Sequence, residues 1–399
     1  MAGGISLLLQ KNGTWSDISR LTQSVTWSGR KGSAARSLSV TLLDDDRQDR
    51  AGVNVAEGNQ VIFSHNGTEL FRGMIMRQTQ SQVKNLTFPA CDSGIYLANN
   101  RDTFCYKGKT ASDIFVDCCK RYGLKYGEVA TTSYRIPELV KPATTPFDVI
   151  MDALSQDFKA TGVRHFLQSE KGVLWLLTRR ENIQQWVIEP GANLISYTYT
   201  QSIEKTKTRI ALLSKENTVV ASARNTALES KIGIFQNVDR PDDKLSRAQL
   251  QKLADSMLAE QGIIERILSV EALGIPSLIS GFGVYVLIPH LGLAKTFYID
   301  DDTHTFKDNM HIMRLSLSFA SDFGMTSGSA GTGHKEDDIV QFKGGYHYSN
   351  SGAANPTGDK QAPGAARLTL IAKGAKHPYH LIHQDKASTV YGWVDTGTF

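Results

Sequence analysis

The sequence predicts a mainly β chain with an α+β insert, and three observations carry that prediction. Short segments alternate at period two: Leu38, Val40 and Leu42 alternate with Ser37, Ser39 and Thr41, the pattern of a half-buried strand. Asn66-Gly67 joins two such segments, and this pair suits a primed hairpin turn because both central residues need positive φ. Segments of helical spacing then interrupt the strands, opening on the capping residues Thr110 and Thr145.

From Ile5 to about Leu97 every segment reads as strand. Val25 and Trp27 alternate upstream, Val61-Ile62-Phe63 and Glu69 to Ile75 flank the Asn66-Gly67 turn, and Leu86, Phe88 and Ala90 alternate downstream. Several short antiparallel strands with turns between them point to a small barrel or sandwich. The stretch from Asp102 to Trp186 is mixed. Thr110 with Asp113 forms a capping arrangement, Ile114, Phe115, Cys118 and Cys119 make the buried stripe, and Tyr122-Gly123 ends the helix. A second helix starts with Thr145 as cap, Pro146 at its first position and Asp148 in its first turn, then sets Phe147, Ile150, Met151, Leu154 and Phe158 at helical spacing. Residues 164–168 and 173–177 read as a hairpin through Lys171-Gly172.

Strands at 195–200 and 206–213 lead toward a third helix. Ser246 and Gln249 form its capping box, Leu250, Leu253, Ala254, Met257 and Leu258 its stripe, and Gly262 its stop. Strands follow at 267–273, 283–288, 295–300 and 311–319. Residues 324–333 have the Gly/Ser composition of a flexible coil, and a linker of ~15 residues would span roughly 20 Å. Beyond it, 338–399 alternates again in short strands at 340–342, 346–348, 367–371, 379–382 and 390–394. So few residues bury little apolar surface, which favours a compact barrel free to reorient on its linker.

Length and composition narrow the function. A chain of 399 residues suggests two or three domains at about 150 residues each. A formal charge of +4 with both signs interspersed lacks the basic stripe of a nucleic-acid binder. Cys91, Cys105, Cys118 and Cys119 form neither a disulfide framework nor a CxxC zinc motif, and read as small buried hydrophobes in a reducing cytoplasm. The N-terminal apolar stretch lacks preceding basic residues and is too short for a signal peptide, while the apolar reach around 283–293 carries Pro289 and His290 and falls short of the ~20 residues a spanning helix needs.

No catalytic constellation emerges. There is no GxGxxG after a strand and no Walker-type run, and Cys118 and Cys119 lie in an apolar stripe, the wrong place for an activated thiolate. Asp300-Asp301-Asp302 with His304 and His311 could hold a cation, but a solvated hairpin turn explains the triplet better; Asp44-Asp45-Asp46 reads as a strand exit. His377, His380 and His383 suggest a metal, yet Pro378 and the aromatic context favour a partly exposed strand, on which His377 and His380 face opposite ways. No metal site and no cofactor is therefore expected. Tyr346, Tyr348, Tyr379, Tyr391 and Trp393 could line a groove for sugar or peptide; otherwise they fill the core of a small barrel. Tyr348 and Trp393 are the candidate ligand-binding pair.

The order of Val61-Ile62-Phe63, Glu69 to Ile75 and Leu86 to Asp92 before Thr110-Ala111-Ser112-Asp113-Ile114-Phe115 resembles the baseplate hub proteins of contractile phage tails and phage-tail-like bacteriocins, of the PBSX-like prophage, late control D-like type. Phe297 to Asp300, His304-Thr305-Phe306 and His311 to Leu317 look like the closing hairpin of the hub's second barrel, so the resemblance covers about residues 5–323. It implies two tandem β-barrels with an α/β insert: a first tube-type barrel at 1–98, the insert at 99–190, a second barrel with a helical insertion at 191–323, and a flexible linker at 324–337. Gly374 to His383 followed by Val390 to Asp395 resembles the bacterial SH3-like modules of endolysins and tail proteins, which implies a small SH3-like barrel at 338–399 that contacts host peptidoglycan.

The resemblance further implies a structural protein, not an enzyme: a homotrimer joining the sixfold tail tube to the threefold central spike, beside baseplate wedge proteins. Such a protein is made in the bacterial cytoplasm, resides in the tail baseplate and is released by lysis. The alternatives are a cell-wall-targeted peptidoglycan hydrolase or wall-binding tail protein, and a soluble adaptor of unrelated fold.

Overall fold

A computed structural model describes residues 4–43, 55–80, 85–241, 245–318, 338–349, 351–371, 375–384 and 387–399. Asp44-Asp45-Asp46 and the Gly/Ser-rich segment at 324–333 lie outside them. The described residues form two compact units, one of Thr198–Ser269 and one of all the rest.

In the larger unit one sheet runs in order through Met310–Ser318, Leu293–Lys307, Thr22–Arg30, Ser37–Leu43, Asn85–Cys91, Thr68–Ile75, Gln60–His65, Ile5–Lys11 and Thr14–Asp17. The period-two signal is realised: Leu38, Val40 and Leu42 are buried. Asn66 and Gly67 take φ of 50° and 78°, as the primed turn requires. The strands assigned to two separate barrels are joined edge to edge, since Asp301 to Lys307 pair antiparallel with Arg30 to Ser24. Their cores merge as well. Ile279 and Phe306 pack in one cluster with Leu7, Val25, Trp27 and Phe63, and the Phe63 and Phe306 rings meet edge-on at 4.9 Å.

Leu293–Lys307 is the hub of this arrangement. Its first half pairs with Gly283–Ile288, its second with Thr22–Arg30, and its other edge with Met310–Ser318. A register shift between Ile299 and Asp301 marks the changeover. This corrects the reading of the acidic triplet as a turn: the strand runs straight through Asp300–Asp302, and the chain reverses at Asp308 and Asn309, whose φ values are 52° and 61°. The expected insert also ends early, because Ile183–Ile188 pairs in parallel with Gly283–Ile288.

The insert follows its sequence signals closely. Ala111–Arg121 is capped by Thr110 and Asp113 in a reciprocal box, and Pro146–Thr161 is capped by Thr145 and ended by Gly162 at φ 76°. Ile114, Phe115, Cys118 and Cys119 pack with Val149, Ile150 and Leu154 into a separate core. Two small sheets border it: Asp102–Lys109 with Ile136–Thr144, and Tyr126–Val129, Val173–Thr178 and His165–Glu170.

The unit at Thr198–Ser269 is more than a helical insertion. Arg209–Leu213 lies between antiparallel Val219–Arg224 and parallel Gln236–Asp239, and a short helix, Thr226–Ile232, precedes the capped helix Arg247–Gln261. Ile210, Leu212, Ala221 and Ala254 form its buried core, with Leu250, Leu253, Met257 and Leu258 packed on it. The expected strand at 206–213 thus belongs to this α/β unit.

The terminal residues build one antiparallel sheet in the order Ile339–Phe342, Gly364–Ile371, Tyr379–His383, Tyr391–Val394. The expected strand at 346–348 reduces to a single bridge between Tyr348 and Trp393.

Candidate functional site

Two places gather the residues singled out from sequence. The first is the acidic triplet. Alternation along the strand sends its carboxylates to different neighbours, and each finds a cation. Asp300 lies 3.3 Å from Lys31 Nζ and 3.1 Å from Arg179 Nη2, and Asp301 lies 3.1 Å from Arg30 Nε. Asp302 is buried, accepts from Arg36 Nη1 at 2.9 Å and Nη2 at 2.5 Å, and accepts from the Ser280 amide at 2.7 Å. The guanidinium of Arg36 also lies 4.2 Å from the Trp27 ring centroid. Its backbone amide donates to Asp92, whose carboxyl burial pushes up to about 6.

His304 continues this buried cluster. Its Nε2 donates to Leu278 O at 3.0 Å, which leaves Nδ1 to accept from His311 Nε2 at 2.9 Å. Burial pushes His304 down to about 4 and His311 to about 3, so both are neutral at pH 7. No group of three or more metal-ligating side chains occurs among the described residues. The arrangement ties sequence-distant strands together.

The second place is the terminal module. Tyr348 and Trp393 are brought together by backbone, with Tyr348 N donating to Trp393 O at 2.8 Å and Trp393 N to Tyr348 O at 3.0 Å. Their side chains differ in access. Trp393 is 1% exposed, in the interior, whereas Tyr348 is half-buried, stacks on His377 at 3.4 Å between centroids and donates to Asp395 at 3.4 Å. The broader groove of five aromatics does not form. Tyr391 is buried with Tyr285 and Ile382, and its hydroxyl lies 2.6 Å from Trp186 O and 3.0 Å from Gln184 O. This contact is at odds with a module free to reorient. Tyr346 is exposed, and Tyr379 packs edge-on against Phe399.

The three histidines also depart from a partly exposed strand. His377 and His380 are both buried and only His383 is exposed. His377 Nδ1 meets Asp395 at 2.6 Å and its Nε2 meets Ala353 O at 3.0 Å, while His380 is held by Thr369 and pushed by burial to about 3. Sequence reasoning missed the Tyr348, His377 and Asp395 cluster because nothing in the spacing links residues so far apart.

Burial pushes the Cys118 thiol up to about 11 and Cys119 to about 12, the opposite of an activated nucleophile. No helix among the described residues is long and apolar enough to cross a membrane.

A family profile described as YQBQ-like matches residues 25–318, most of the chain. The chain belongs to the YQBQ-like family. One relative is the Phage-like element PBSX protein XkdQ of Bacillus subtilis, 34% identical over 317 residues that cover 78% of this chain and 96% of XkdQ. The fold is similar to that of the prophage MuSo2 43 kDa tail protein from Shewanella oneidensis, with a TM-score of 0.61 at 14% identity over 78% of this chain and 97% of that one. It is also similar to the E. coli c3393 protein, a type VI secretion component, with a TM-score of 0.50 at 9% identity over 97% of this chain and 93% of that one. The resemblance read from the strand order, to a PBSX-type tail protein, therefore holds. This YQBQ-like chain is a protein of the phage-tail type, and residues 338–399 lie beyond the family match.

Proposed function

We propose that this chain is the structural baseplate hub of a contractile tail or tailocin, joining the sixfold tail tube to the threefold central spike. The observation that carries the reading is the match to XkdQ along 96% of that protein's length, a protein of a phage-like element. Physical argument supports it. A closed ring needs heterologous contacts that return on themselves, and a chain holding two sets of strands gives three copies six surfaces with which to meet a sixfold tube. The fused sheet and the buried Arg36–Asp302 pair suit a part that transmits load between those surfaces. The partners are then two further copies of the chain, the tube protein, the spike and the wedge proteins. The chain is made in the bacterial cytoplasm, is built into the tail baseplate and leaves by lysis. Tagged chain expressed with the tail genes should co-purify with tube and spike proteins; recovery of neither would contradict the proposal.

We further propose that the SH3-like terminal module contacts host peptidoglycan at the surface around Tyr348, with Trp393 as the support behind it, and that the chain itself does not cleave wall. Tyr348→Ala should weaken pull-down by host peptidoglycan while leaving the circular dichroism spectrum unchanged. Reproducible release of wall fragments by purified chain would favour the hydrolase reading instead.

A further inference from the structure

A cleft of about 390 Å³ lies where the strand Ile183–Ile188 meets the terminal module; the strand and the residue before it contribute Asn182, Gln184 and Trp186, and the module contributes Ser349 and Thr357. That volume is within the range of about 300–1,000 Å³ usual for ligand sites. Ile183 and Ile188 at the strand's ends are buried, yet Trp186 between them is 48% exposed, more than any other tryptophan of the chain. Its backbone is fixed from two sides. The strand pairs with Gly283–Ile288, and the hydroxyl of the buried Tyr391 lies 2.6 Å from Trp186 O and 3.0 Å from Gln184 O.

The polar groups of this cleft are open to a ligand. Asn182 uses Nδ2 on Thr178 O at 2.8 Å and keeps Oδ1 as a free acceptor, while the side chains of Gln184, Ser349 and Thr357 form no hydrogen bond among the described residues. Asn182 Oδ1, the Gln184 amide and the Thr357 hydroxyl all reach solvent, and Ser349 is exposed. No charged side chain lines the cleft among the described residues.

Three properties of the lining select its occupant. The lack of charge leaves a phosphate, carboxylate or ammonium group without a counterion. Amides and hydroxyls both donate and accept, which matches a ligand whose own hydroxyls do the same. An exposed indole matches a body with one apolar face and a polar rim. A pyranose ring has that shape and that chemistry. We infer that this cleft binds a neutral pyranose unit of a glycan, its C–H face on Trp186 and its hydroxyls on Gln184, Thr357, Ser349 and Asn182 Oδ1. The inference goes beyond the peptidoglycan contact proposed around Tyr348, because the stacking ring belongs to the strand Ile183–Ile188 and free sugar tests it without cell wall.

The test uses the full chain with ¹⁵N-labelled tryptophan, whose five indole N–H signals are assigned by single Trp→Phe variants. Chitotriose, built of the N-acetylated sugar found in wall glycan, and maltotriose, built of plain glucose, are each titrated to about 20 mM, a range suited to millimolar binding. The Trp186 signal should shift with at least one of them, and the tighter binder tells an N-acetylated source from a plain one. The buried Trp27 and the other exposed indole, Trp15, should not shift, the latter being the control for stacking on any open ring. Gln184→Leu and Thr357→Val should each raise Kd about fivefold, the size of one lost hydrogen bond. Neither side chain holds a partner among the described residues, so both variants retain the fold, which an unmoved Trp27 signal verifies. A Trp186 signal unmoved by both sugars, an equal shift at Trp15, an unchanged Kd in both variants, or an equal Trp186 shift with the neutral peptide acetyl-trialanine amide would overturn the inference.

Discussion

Arg36 and Asp302, 266 positions apart, form a buried two-pronged ion pair with Nη1–Oδ1 at 2.9 Å and Nη2–Oδ2 at 2.5 Å. The Arg36 side chain is 6% exposed and that of Asp302 not at all, so the pair is fully desolvated where the N-terminal strands join Leu293–Lys307. Removing one partner leaves an uncompensated charge, whereas removing both need not. Arg36→Ala should therefore cost about 3–5 kcal/mol in urea denaturation. Arg36→Met combined with Asp302→Leu should cost much less, and equal losses in the single and double variants would contradict this.

Acid should weaken the fold. His304, His311 and His380 are pushed by burial to about 4, 3 and 3, against an ordinary 6.5. Below pH 6.5 the unfolded chain takes up protons that the folded chain refuses, so their contribution is full above that pH and declines as pH falls toward the folded values. Asp92 opposes them, since its raised carboxyl makes the folded state the better proton binder between 3.8 and about 6. Three groups outweigh one. Tm should fall between pH 7 and about pH 4.5, and a rise would contradict the assignment.

Gly73 is required by a close approach of two strands. A Cβ there would lie 2.3 Å from Cys91 O and 2.6 Å from the Phe71 ring, and neither strand can shift without breaking its ladder. Gly73→Ala should cost about 1–3 kcal/mol, the usual range for overpacking. A Tm equal to that of the parent chain would show that the strands yield.

Tyr391 fastens the terminal sheet to the backbone of Gln184 and Trp186. Tyr391→Phe keeps the ring in its cluster with Tyr285 and Ile382 but removes the hydroxyl. It should cost about 1 kcal/mol and speed amide exchange in Tyr391–Val394. Unchanged exchange would mean that the apolar contact alone holds the module.

What could be read from sequence was local. The caps at Thr110, Thr145 and Ser246 and the turns at Asn66-Gly67 and Lys171-Gly172 lie where their side chains and φ preferences put them, because each is decided within a few residues. The acidic triplet was misread for the same reason. Asp is a turn former locally, and only Arg36, Lys31 and Arg179, supplied from far along the chain, make a strand interior tolerable for Asp300 and Asp302. Trp393 shows the limit for sites. An aromatic in a small module serves either as core or as a stacking platform, and the structure that decides it, with Trp393 buried, paired with His380 and bridged to Tyr348, is long-range and not encoded in any spacing.

The hub assignment is tested most directly by electron cryomicroscopy of purified tail particles in which this chain carries a visible tag. The account predicts three copies at the lower end of the tube, arranged with threefold symmetry between tube and spike. Six equivalent copies, or tag density on the sheath, would contradict it.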